Sequence, residues 1–134
     1  ACRNRALVQQ LFEASPAQFD EHLLSLLATV VVYRLAGNTP VSGVHRGRLA
    51  VRDRLLAPLH SALDGPVARI ADHLGTAGEW LWVQARGLAR MRSGARYDND
   101  YCYCLRLVDG QIREVIEYLD TELLARALKA DVAD

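Results

Sequence analysis

Asp109-Gly110 divides an alternating stretch into two segments of similar length, and that arrangement leaves few folds open. Both positions tolerate positive φ, so the pair reads as the two-residue loop of a β-hairpin. Upstream, Tyr97, Asn99, Tyr101, Tyr103, Leu105 and Leu107 alternate with Asp98, Asp100, Cys102 and Cys104. Strand residues two apart share a face, so the leucine-bearing set is predicted to face the interior. Downstream, unbroken alternation puts Ile112, Glu114, Ile116, Tyr118 and Asp120 on one face. Beyond Asp120, Leu123, Leu124, Ala127 and Leu128 have the spacing of a short helix.

The chain leading to this hairpin supplies helices first. Leu7, Val8, Leu11 and Phe12 give an amphipathic helix over 3–15, with Ser15 as a candidate N-cap for a second helix opening at Pro16. That helix turns Phe19, Leu23, Leu24 and Leu27 inward. From about Ala28 the residues Thr29 to Tyr33 are β-branched or aromatic and predict a buried strand. A loop follows over Gly37 to Pro40, and Val44 to Gly47 precede a third helix over 48–63. Val51, Leu55, Leu56, Leu59 and Leu63 form its buried stripe, and Pro58 inside it is expected to kink or split it. Val67 to Leu74 predict a strand, with Gly75 and Gly78 in the next loop. Glu79 to Arg92 read as a long strand in which Gly87 marks a bulge or bend. Helices, strand, helix and then a run of strands make an α+β layer design, a curved and mostly antiparallel sheet packed on N-terminal helices. The length of 134 residues fits one domain over 1–134.

Charge narrows the partners. Sixteen basic and sixteen acidic side chains give zero formal net charge. Without a long basic run, a nucleic-acid or anionic-membrane surface is not expected. The apolar run Leu23 to Val32 is too short to span a bilayer, and no secretory signal is expected. Cys102 and Cys104 would point the same way from one strand, where a disulfide is strained, so a reduced, cytoplasmic protein is expected. No third and fourth ligand at zinc spacing accompanies them, so no metal site is predicted, and no nucleotide motif suggests a cofactor.

Asp120 is the first candidate for chemistry. If the face it shares with Ile112 and Tyr118 is the pocket, its carboxylate can act as a general base. The alternative is a helix N-cap, a position aspartate favours. The inner row Tyr97, Asn99, Tyr101 and Tyr103 needs partners, a ligand or water, and Tyr103 has a hydroxyl to donate. Trp82 and Arg86 share a strand face with Trp80 and Gln84 and could form an aromatic wall and a cation for an anionic ligand. The opposite face, Leu81, Val83 and Ala85, is equally apolar, so pattern alone leaves this strand's orientation open.

GVHRG before the third helix, SGARYDNDY on a strand, and VDGQIREVIEYLDT together resemble the SnoaL-like branch of the nuclear transport factor 2-like superfamily. The resemblance covers nearly the whole chain. It implies a cone-shaped pocket for a hydrophobic, oxygenated small molecule, a homodimer through the outer sheet face, and a pocket-lining place for His45. Relatives include ketosteroid isomerase, limonene-epoxide hydrolase and polyketide cyclases. The isomerase's catalytic set is absent, with Leu11, a residue near Val32, and Tyr103 standing at its three positions. The hydrolase resembles this chain at Asp120 and near Arg86, but Leu88 replaces its second acid. The resemblance therefore implies a cofactor-free isomerase, cyclase, dehydratase or hydrolase using Asp120 with Tyr103, Asn99 or His45. Its rival is a non-catalytic binding or assembly module on the same fold. A third reading is a protein-interaction domain that uses the outer sheet face.

Overall fold

The computed structural model describes residues 2–133. Helix α1, Cys2–Glu13, buries Val8 and Leu11. The side chain of Cys2 lies outside the described residues. A short 3-10 turn, Pro16–Gln18, leads into α2, Phe19–Leu26. Ser15 precedes the turn but its side chain makes no capping hydrogen bond. Leu27, expected on the inner face of α2, instead opens strand β1, Leu27–Leu35.

The third helix runs through residues 48–62 without splitting at Pro58. The turn just before the proline, Val51–Leu56, is widened to a π-helix, and the Ala57 N–H reaches back five residues to the Arg52 carbonyl. A proline ring collides with the preceding turn of a regular α-helix. A widened turn gives it room, so the strain is absorbed without a break.

Six strands form one sheet in the order β2-β1-β6-β5-β4-β3. Strand β2, Gly43–Arg46, pairs with β1 in the segment expected to be a lead-in to the third helix. Strand β3, Ala68–Ala77, takes in Gly75, which was expected in a loop. Strand β4, Trp80–Leu88, is shorter than expected. Strands β5, Asn99–Val108, and β6, Gln111–Leu119, meet at the Asp109-Gly110 turn, where both residues have positive φ. All neighbouring strands are antiparallel except β1 and β6, which run parallel. The C-terminal helix is Thr121–Ala133.

Gly87 is not a bulge. It pairs regularly with Arg69 and Asn99. A Cβ there would come within 2.6 Å of the Tyr101 ring, so the glycine allows a close approach. The bulges lie elsewhere. Asp72 is the extra residue of β3 between Ala71↔Ala85 and His73↔Gln84. Arg113 is the extra residue of β6 between Leu107↔Ile112 and Arg106↔Glu114. A bulge reverses which side chains face inward. After Arg113 the inward residues of β6 are therefore Val115 and Glu117, while Ile116 and Tyr118 turn outward.

Candidate functional site

The concave face of the sheet and the helices enclose a core that is apolar apart from a few groups. On β5 the alternation runs as expected, with Asn99, Tyr101, Tyr103, Leu105 and Leu107 inward. On β4, Leu81, Val83 and Ala85 take the inner face. Trp82 and Arg86 consequently sit on the outer face, where Trp82 is 44% exposed. Arg86 forms a bidentate pair with Asp72, at 2.8 and 3.0 Å. Tyr118 is likewise outward and 50% exposed. None of these three lines the interior, because bonding to the neighbouring strands, not the local pattern, sets their side.

Asp120 is exposed, and its Oδ1 accepts the Leu123 N–H at 3.1 Å. That is the N-cap geometry of the C-terminal helix. The face expected to carry it into the core is turned by the Arg113 bulge, so Asp120 caps the helix and does not enter the interior.

His45 is buried and its Nε2–H donates to the Val41 carbonyl at 2.7 Å. It anchors the loop before β2 and is not among the cavity walls. Asn99 is fully engaged. Its Oδ1 accepts the N–H groups of Asp100 and Asp120 at 2.7 and 2.9 Å. Its Nδ2 donates to the Tyr97 hydroxyl and the Asp120 carbonyl, each at 3.2 Å. Asn99 thus ties the start of β5 to the start of the last helix. Burial pushes the Tyr97 phenol up to about 12. The Tyr101 hydroxyl is buried without a hydrogen-bond partner among the described residues, and its ring stacks on Tyr103 with centroids 5.4 Å apart.

The polar centre lies on Tyr33, Arg69, Tyr103 and Glu117, of which only Tyr103 was expected at the site. Glu117 is 8% exposed, and its Oε1 accepts a short hydrogen bond from the Tyr33 hydroxyl. Tyr103 stands directly opposite Glu117 across the β5–β6 ladder. The Tyr103 hydroxyl accepts from Arg69 Nε at 3.2 Å. The Arg69 guanidinium in turn lies over the Phe19 ring, 4.1 Å from its centroid. Tyr33, Arg69, Tyr103 and Glu117 all line one cavity of about 20 Å³, otherwise walled by leucines and other apolar residues. That volume holds about one water molecule.

Burial raises the Glu117 carboxyl above its ordinary value, while the Tyr33 hydrogen bond and the Arg69 charge oppose that rise. Burial also raises the Tyr33 and Tyr103 phenols, with the Glu117 charge adding to it. Both phenols therefore stay protonated and act as donors. The Tyr33 hydrogen is committed to Glu117. That of Tyr103 has no acceptor among the described residues, so the cluster combines a buried carboxyl with one free phenolic donor. Only a face-switching bulge betrays Glu117, and no motif in the sequence announces one. Among the described residues no group of three or more potential metal ligands occurs.

Residues 8–115 match the sequence profile of the SnoaL-like domain. No curated protein matches the chain in sequence. Among solved structures, an NTF2-like protein from Burkholderia thailandensis E264 is 20% identical with a TM-score of 0.79, covering 93% of this chain and 96% of that one. A protein of unknown function with a cystatin-like fold from Xanthomonas campestris is 24% identical with a TM-score of 0.77, over 93% and 96%. TerC, co-crystallised with polyporic acid, is 15% identical with a TM-score of 0.80, over 95% and 98%. These structures share the fold. No helix among the described residues is long and apolar enough to cross a membrane.

Proposed function

We propose that this chain, which belongs to the SnoaL-like domain family, binds a small oxygenated molecule in its cone and moves a proton on it through Glu117. The observation that carries this reading is a buried carboxyl, held by one phenol and facing a second whose proton is free. A buried carboxyl with a raised pKa is a suitable proton acceptor and donor near neutral pH. In the reaction, the Glu117 carboxylate removes a proton from carbon beside a carbonyl. The Tyr103 hydroxyl, polarised by Arg69, donates to the developing enolate oxygen. Protonated Glu117 then returns the proton at another carbon, which completes an isomerisation, or the enolate carbon attacks a second carbonyl, which closes a ring and leaves an alkoxide that takes the proton back from Glu117. Tyr33 orients the carboxyl. Leu56 and Leu59, both half-buried on the third helix, line the cavity, and a ligand larger than a water needs them displaced. That TerC was co-crystallised with polyporic acid supports a small-molecule ligand in this fold.

The test is deuterium exchange at the α-carbons of a panel of cyclic ketones and diketones in D2O, read by mass spectrometry. Wild type is expected to accelerate exchange of at least one compound, and Glu117→Gln to remove the acceleration while the protein stays folded. Equal exchange by the two proteins overturns the assignment.

A second reading, a non-catalytic binding or assembly module, draws support from the small cavity volume. It predicts ligand binding with no exchange. Under either reading the chain pairs with a second copy through the outer sheet face. Trp82, Ile116 and Tyr118, with the reduced thiols of Cys102 and Cys104 between them in the strand register, supply an apolar patch there. A reduced thiol pair fits a cytoplasmic setting.

A further inference from the structure

Arg69 borders more than one space. It lines the closed cavity with Glu117, and it also lines a groove of about 480 Å³ between α1 and β3. One wall of that groove is the helical stripe Arg5, Gln9, Phe12 and Glu13, at the i, i+4, i+7, i+8 spacing of a single face. The other wall is Arg69 to Leu74 of the edge strand. Asp20 and Glu117 act on Arg69 at longer range, but among the described residues no carboxylate is bonded to it. Asp72 is taken up by its bidentate pair with Arg86. Among the described residues neither Arg5 nor Arg69 is in an ion pair. The hydrogen bond to Tyr103 uses only Arg69 Nε, and its two terminal nitrogens have no acceptor among the described residues.

We propose that the groove between α1 and β3 is a binding site for an organic carboxylate with an apolar body. The Arg69 guanidinium is fixed on one edge by Tyr103 and on one face by Phe19. A guanidinium held in place gives up little freedom when its remaining N–H groups take a carboxylate side by side. Arg5 adds a second positive charge at the groove. Phe12, Ile70 and Leu74 supply apolar surface for the rest of the ligand. Glu13 is the opposing charge, and it limits how strongly an anion is held.

The site is tested by titrating the folded protein with 2-naphthoate and with 2-naphthol, a neutral molecule of similar shape, following backbone amide shifts by NMR. Naphthoate is expected to bind at least tenfold tighter than naphthol, with shifts clustered on Gln9, Phe12, Arg69 and Leu74. Arg69→Gln should remove that preference. Glu13→Gln, an exposed change that leaves the core intact, should tighten naphthoate severalfold and leave naphthol unchanged. Equal binding of the two compounds, shifts centred on the outer sheet face, or no response to Glu13→Gln overturns the proposal. The exchange assay turns on Glu117 and the titration on Glu13 and Arg69, and only Arg69 is common to both. No acceleration of exchange by wild type, with the naphthoate preference intact, sinks only the proton-transfer reading, and the converse sinks only the groove.

Discussion

Tyr33 donates its hydroxyl hydrogen to Glu117 from 84 positions away in the chain, and the bond is buried in the interior. A parallel pairing of β1 with β6 sets it up, placing Tyr33 opposite Val115 and next to Glu117 on the inner face. The carboxyl is desolvated by burial and compensated by one phenol and a nearby guanidinium. Its protonation should therefore be linked to folding.

The sign of that linkage follows from the raised pKa. Between the ordinary 4.5 and the higher folded value, the folded state holds a proton that the unfolded state releases. The contribution of Glu117 is fully present below pH 4.5 and is lost as pH rises through the folded value. Glu117→Gln has no such dependence. Urea melts of the two proteins from pH 4 to 8 are expected to show the variant gaining relative stability as pH rises. A difference that is constant across that range would mean the carboxyl is not desolvated in solution.

Tyr33→Phe removes the donor that stabilises the charged carboxylate. A hydrogen bond to the anion lowers a carboxyl's pKa, so losing it should move the Glu117 titration to higher pH. The midpoint is readable from the side-chain carboxyl carbon by NMR. The stability cost should be about 1–3 kcal/mol at neutral pH and smaller in acid, because an uncompensated buried acceptor is costliest when charged.

Asp120→Ala should lose a helix cap and nothing else. Removing an aspartate N-cap costs about 1 kcal/mol, measurable as a lower urea midpoint with unchanged slope. α-Carbon exchange should proceed at the wild-type rate. A collapse of exchange in this variant would return the proton-transfer role to Asp120.

Asn99→Ala should be more damaging despite its lack of contact with the cavity cluster. It strands the N–H groups of Asp100 and Asp120 and leaves the Tyr97 hydroxyl without its donor. An expected loss of about 2–4 kcal/mol follows from several unsatisfied groups at partly buried positions. A loss below about 0.5 kcal/mol would show that water replaces the amide without cost.

Trp82→Glu tests the pairing of two copies through the outer face. A charge in the middle of an apolar contact is desolvated without a partner. Sedimentation should find a dimer for wild type and a monomer for the variant. A wild-type monomer at high concentration, or an unperturbed variant dimer, would remove the outer face as the dimer surface.

Legibility in the sequence divided along physical lines. The β5 row from Asn99 to Leu107 was readable because regular alternation needs nothing beyond its own strand. The Asp109-Gly110 turn was readable because few residue pairs accept positive φ twice. Glu117 was not, because one inserted residue, Arg113, turned the rest of β6 over. Arg69 looked like any strand residue. Its importance comes from Tyr103 and Phe19, which lie far from it in the chain.

By itself the sequence determined the helical stripes, the hairpin and the order of elements, and through them the SnoaL-like fold. Those are local properties, set by side-chain periodicity and backbone preference. The tertiary structure alone decided which face of β4 is inside, where β6 bulges, and that the buried acid is Glu117 while Asp120 caps a helix. Each of these depends on pairing between strands distant in sequence, and only the assembled sheet fixes that register.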